Sequence, residues 1–181
     1  MRGCLTIRNT TTALSGVILI GLSLSGAAYA ISSAAFRYST PQTGYLTIPA
    51  AAFVPNSPST VYDNFGDFLD STGNAEFYAP VHLPHGAKIT QVAIWYSRDG
   101  VGPTGFAFRR RSLPDNVSSN VALLSTPSTG GQYTVTALNI TDPSVQIVNN
   151  ARYAYFLDLN MSDQEEFYSA RIKYTYTSAG D

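Results

Sequence analysis

Two stretches of strict alternation constrain this chain more than any other feature. In Arg152–Asn160, Tyr153, Tyr155, Leu157 and Leu159 fall on one side, and Ala154, Phe156 and Asp158 on the other. In Glu166–Thr177, Tyr168, Ala170, Ile172, Tyr174 and Tyr176 share one side, and Ser169, Arg171 and Lys173 the other. A period of two belongs to a β-strand with one face on a core, and a helix cannot satisfy it. Phe106 and Phe108 likewise point one way, with Arg109 and Arg111 opposite.

Further strands are read at Gly44–Ile48, Ala51–Val54, Glu76–Leu83, Lys88–Ser97, Thr104–Leu113, Asn120–Ser125 and Gln132–Ile140. Proline, glycine and asparagine clusters punctuate them, as at Leu83-Pro84-His85-Gly86 and Pro114-Asp115-Asn116. Short strands at this spacing predict an all-β fold, a two-sheet antiparallel sandwich of jelly-roll type, with an up-and-down barrel as the runner-up. The sequence shows no internal repeat, which disfavours a propeller or β-helix.

The first thirty residues are of another kind. Arg2 and Arg8 precede an apolar run, Ala13–Leu24, and Ala28-Tyr29-Ala30 follows it. This three-part pattern predicts a secretory signal peptide over 1–30, cleaved after Ala30. The apolar run is broken by Ser15, Gly16, Gly21 and Ser23 and falls short of the roughly 20 residues of a membrane span. Residues 31–43, rich in Ser, Ala and Thr, read as a flexible leader, and 44–181 as a single sandwich domain. The expected location is secreted, periplasmic or in the cell envelope, with no membrane span in the mature chain. Cys4, the single cysteine, leaves with the signal, so the domain is stabilised by its core and not by a disulfide. The chain carries 11 basic against 12 acidic residues, and losing Arg2 and Arg8 makes the remainder more acidic. That argues against nucleic acid as a partner, since such binding needs a basic excess.

The segment Phe77-Tyr78-Ala79-Pro80-Val81-His82-Leu83-Pro84-His85-Gly86-Ala87, leading to Trp95-Tyr96, resembles a pattern in uncharacterised exported bacterial β-sandwich proteins. Phe108-Arg109-Arg110-Arg111 and Ala170-Arg171-Ile172-Lys173-Tyr174-Thr175 fit the same pattern, so the likeness spans about residues 44–176. The resemblance implies a bacterial, exported β-sandwich and implies no activity. A looser, architectural resemblance is to trimeric jelly rolls of the C1q and tumour-necrosis-factor kind, and fold does not imply function.

Candidate sites are few. Arg109 and Arg111 project together from a strand and could hold a carboxylate, sulfate or phosphate, or else pair with Asp99, Asp115 or Asp158. Trp95 and Tyr96 are candidate contacts for a glycan ligand, since sugars stack on aromatic faces. Asp63, Asp67 and Asp70 lie in a loop with Asn64 and could offer oxygens to calcium, although Phe65, Phe68 and Leu69 interrupt it. His82 and His85 form an H-x-x-H that lacks further histidine or cysteine partners for zinc. No Gly-x-Ser-x-Gly elbow or phosphate-binding glycine loop is present. With Tyr 12 and Phe 9 in the chain, the aromatics suit a sandwich core and an interface between copies. The expectation is therefore an exported, non-catalytic homo-oligomer with a structural or surface-adhesion role. A carbohydrate-binding module is the alternative, and a jelly-roll hydrolase the weaker one.

Overall fold

The computed structural model describes residues 36–98, 105–126, 134–163 and 165–179. The signal segment, Asp99 and parts of the strands read at Thr104 and Gln132 lie outside the described residues. Among the described residues the strands are β1 (Phe36–Pro49), β2 (Val54–Pro55), β3 (Tyr62–Asn64), β4 (Leu69–Ser71), β5 (Ala75–Val81), β6 (Lys88–Arg98), β7 (Gly105–Ser112), β8 (Ser118–Ser125), β9 (Thr134–Asn139), β10 (Tyr153–Met161) and β11 (Glu165–Ala179). They form two antiparallel sheets. One runs β3-β4-β11-β6-β9, with β1 also paired to β11, and the other runs β2-β5-β10-β7-β8. From β4 to β7, and again from β8 to β11, the chain changes sheet at every step. This is the two-sheet jelly-roll sandwich expected from the sequence, and not the barrel.

The inward sides fill the space between the sheets. Ile48, Leu69, Ile89, Ile94, Phe167 and Ile172 come from the six-stranded sheet, and Phe77, Phe106, Phe108, Leu157 and Leu159 from the five-stranded one. Phe167 joins the layers. Its ring meets Phe53 edge-on at 4.9 Å and stacks on Phe106 of the opposite sheet at 6.4 Å. Tyr96, Tyr153, Tyr155, Tyr174 and Tyr176 are also buried in or packed against this core.

The structure differs from the sequence reading at definite places. Residues 36–43, read as leader, belong to β1, where Phe36, Arg37, Gln42 and Thr43 pair with the end of β11. Ala50–Ala52 is a turn of 3-10 helix, so the strand read at Ala51–Val54 shrinks to β2. The segment read as a solvated loop contains the β3–β4 hairpin, in which Asp63 faces Asp70. A bulge in β11 between Phe167 and Ser169 shifts the phase. It puts Phe167 in the core where plain alternation would place Tyr168. One short helix, α1 (Pro143–Gln146), is capped by Asp142, whose side chain accepts from the Ser144 amide at 2.8 Å.

Because Phe167 is buried against both layers, Phe167→Ala should cost about 3–5 kcal/mol of unfolding free energy. Phe65→Ala should cost about 1 kcal/mol or less, since Phe65 is 58% exposed. Urea unfolding of both variants checks the contrast.

Candidate functional site

The outer face of the five-stranded sheet gathers the chemistry. Its register lines up residues from strands far apart in sequence. Asp158 of β10 lies between Tyr78 of β5 and Ala107 of β7. Phe156 lies between Pro80 and Arg109, and Asn160 between Glu76 and Gly105. Beyond β7, Arg109 faces Asn120 and Arg111 faces Ser118 of β8. The outward residues of β7 begin with Gly105 and Ala107. Small side chains there, beside large ones on the neighbouring strands, hollow the sheet face.

Three concavities adjoin along it. One of about 590 Å³ is bounded by Asn56, Tyr78, Arg109, Arg111, Ser118 and Phe156, with Ala154 beneath. A second, of about 360 Å³, shares Arg109 and lies over Gly105 and Ala107 beside Glu76, Asp158 and Asn160. A third, of about 340 Å³, shares Glu76 and Asn160 and ends at Asn74 and Ser162. Each falls in the size range of small-ligand sites. Joined end to end, they make an open trough across the sheet.

Its polar groups are held in place. Tyr78 donates its hydroxyl to Glu76 Oε1 at 2.7 Å, and Asn56 donates its amide to Oε2 at 2.6 Å. Arg109 Nη1 donates to Asp158 Oδ2 at 2.6 Å, and Arg109 Nε to Asn120 Oδ1 at 3.2 Å. Asn160 donates to the remaining Asp158 oxygen at 3.0 Å. Burial, with the hydrogen bond to Glu76, pushes the Tyr78 hydroxyl up to about 12, so Tyr78 stays a donor across the physiological range. The Asp158 carboxyl is also pushed up, first by burial and then by the Glu76 charge, with Arg109 opposing both. The two rings in the trough, Tyr78 and Phe156, meet edge-on with centroids 5.9 Å apart.

Arg109 and Arg111, singled out from the sequence, both lie in this trough, and Arg109 takes Asp158 as its partner. Trp95 and Tyr96 do not join them. Both are on β6 of the other sheet, and adjacent strand residues face opposite ways. Tyr96 is buried in the core with its hydroxyl 3.2 Å from Thr136 Oγ1. Trp95 is on the outer face of its sheet, with the Arg171 guanidinium 4.8 Å from its ring.

Asp63 lies on β3 and Asp70 on β4, with Asp67 in the turn between them. Among the described residues no three carboxylate, histidine or cysteine side chains converge to hold a metal ion. The loop is closed from within: the Phe65 amide donates to the Phe68 carbonyl, the Gly66 amide to Asn64 Oδ1, and the Phe65 and Phe68 rings stack at 4.6 Å. His85 serves a turn, where its Nδ1 accepts from the Asn150 amide at 3.2 Å.

Tyr78, Phe156 and Asn160 are not marked as a site by the sequence, and Asp158 is marked only as a partner for Arg109 or Arg111. The available signal was Phe156, a large ring on the polar side of an alternating strand. What the sequence lacks is the pairing that sets it beside Tyr78.

No protein-family profile matches the chain, and no curated sequence matches it significantly. Among solved structures, the chain is similar to the C-terminal CBM6 of LamC, a laminarinase from Zobellia galactanivorans. The identity is 15%, over 71% of this chain and 98% of that one, with a TM-score of 0.48. It is also similar to the xylan-binding module CBM15, at 12% identity over 72% of this chain and 97% of that one, with a TM-score of 0.45. A third is the carbohydrate-binding module CBM6cm-2 from Cellvibrio mixtus lichenase 5A, solved with cellotriose. Its identity is 11%, over 70% of this chain and 95% of that one, with a TM-score of 0.43.

The Arg109–Asp158 pair gives a pH-dependent prediction. Folding raises the Asp158 pKa, so the folded state takes up this proton first as pH falls. The resulting stability is fully present below the unfolded pKa and is lost as pH rises through the folded one. Arg109→Ala removes the group that favours the anion and should cost about 2 kcal/mol at neutral pH. The deficit should narrow as acid neutralises Asp158, which unfolding titrations of wild type and variant at neutral and mildly acidic pH will read.

Proposed function

We propose that this protein is an exported carbohydrate-binding module that holds a polysaccharide along the outer trough of its five-stranded sheet. The observation that carries the reading is the trough itself: an open, elongated hollow holding two aromatic rings and a border of fixed amide, carboxylate and guanidinium groups. Sugar rings offer C–H faces to aromatic side chains and hydroxyls to planar polar groups, and this surface supplies both. An open trough suits a chain longer than one residue. The signal pattern over 1–30 supports export.

The polar groups favour binding over reaction. Both oxygens of Glu76 and both of Asp158 accept hydrogen bonds from side chains of the protein. Carboxylates held in this way orient donors for a ligand. An adhesive homo-oligomer draws less support, because the tyrosines that suggested an interface are largely spent within the sandwich.

Affinity electrophoresis of the purified protein through gels containing plant and microbial polysaccharides tests the reading. At least one polysaccharide should retard the wild type. Phe156→Ala and Tyr78→Ala should each weaken binding roughly tenfold, the scale of one lost aromatic contact. Retardation by none of them, with the protein folded, would remove the proposal, as would retardation unchanged in both variants.

A further inference from the structure

Arg109 and Arg111 stand two places apart on one face of β7, yet only one is neutralised. Arg109 is committed to Asp158 and Asn120. Arg111 gives its Nε to the Asn116 amide, and among the described residues no carboxylate is in ion-pair range of it and its terminal nitrogens have no acceptor. Asn116 holds that inner edge from a left-handed turn position, φ 56°. The guanidinium is thus anchored along one side while its outer side stays open to the largest hollow.

Charge is unevenly spread along the trough. The 590 Å³ hollow is lined by two guanidiniums and no carboxylate. Both smaller hollows take in Glu76, and one of them Asp158 as well. Tyr78 and Phe156, the two rings, border the cationic hollow. A neutral sugar would leave Arg111 without a counter-charge there. A sugar carrying a carboxylate would supply one from the position where its ring stacks.

We infer that the trough is selective for acidic polysaccharides, with a uronate ring against Phe156 and Tyr78 and its carboxylate on Arg111. The planar guanidinium matches two carboxylate oxygens, and charge-assisted pairs of this kind are about twice as strong as neutral hydrogen bonds. The neighbouring unit, over Gly105 and Ala107, would meet Glu76 and Asp158 and is required to be uncharged. The preferred ligand is therefore a chain in which uronate and neutral residues adjoin. This inference rests on the glycan-binding reading of the same trough.

Calorimetric titration with uronate-bearing oligosaccharides, their neutral counterparts of equal length and sulfated counterparts provides the test, using wild type and Arg111→Gln. The expected result is about tenfold tighter binding of a uronate-bearing oligomer than of its neutral counterpart, a preference lost in Arg111→Gln. Arg111 is exposed, so an unchanged melting temperature will show that the variant remains folded. Neutral and uronate oligomers bound equally, with no effect of the substitution, would overturn the inference and leave the glycan reading standing. Sulfated oligomers bound as tightly as uronates, with the same dependence on Arg111, would overturn the assignment to carboxylate. A folded protein that binds no oligosaccharide of any class would sink both.

Discussion

Strand β10 pairs residue for residue with β5 on one side and β7 on the other, and the candidate site depends on that double register. Side chains alternate along a strand, so one choice of inward residues fixes all outward ones. Leu157 and Leu159 are fully buried between the sheets. Their burial obliges Phe156, Asp158 and Asn160 to face outward, in line with Tyr78, Glu76 and Arg109. A slip of one residue in β10 would bury a carboxylate among phenylalanines and expose two leucines. The packing that stabilises the sandwich is therefore the same constraint that assembles the trough.

Within that frame, Asp158 is the least tolerant member. It faces outward yet is only 4% exposed, because Arg109, Tyr78 and Asn160 close over it. A carboxylate so placed needs its partners, since an unpaired buried charge is costly. Arg109 and Asn160 meet that need from two different strands, and Arg109 reaches on to Asn120 on a third. The pair thus ties β7, β8 and β10 together across the surface. This resembles a scaffold more than an exposed ion pair, whose contribution would be small.

The sandwich was legible in the sequence because its signal is local. Alternation in Arg152–Asn160 sorted Tyr153, Tyr155, Leu157 and Leu159 to the core face, and the same period set Phe106 and Phe108 opposite Arg109 and Arg111. Phase shifts were not legible. The bulge at Tyr168 in β11 and the one at Val121 in β8, opposite Phe108 and Arg109, each insert a residue for reasons of backbone pairing that side-chain pattern does not encode. The β3–β4 hairpin was missed because its three-residue strands are too short to show a period. Trp95 and Tyr96 are neighbours in sequence, and neighbours along a strand are divided between its two faces. Arg109 and Arg111, being two apart, share one face of β7 and one hollow. Asp158 is one of three acids the sequence offers as an arginine partner, whereas Glu76 and Asn120 come beside Arg109 only through pairings between distant strands.

The two arginines show how register turns identical residues to different uses. Arg109 faces Phe156 across the ladder, one step along β10 from Asp158, and its guanidinium reaches the carboxylate at 2.6 Å. Arg111 faces Ala154 on one side and Ser118 on the other, where the strands offer no acid. Moving two residues along β7 thus carries a cation from a neutralised setting into one where, among the described residues, no acid compensates it. Desolvating that cation with a neutral ligand would incur a cost, while an anionic ligand would offset it. Selectivity in such a trough would follow from where the sheet fails to supply a partner, as much as from the contacts it makes.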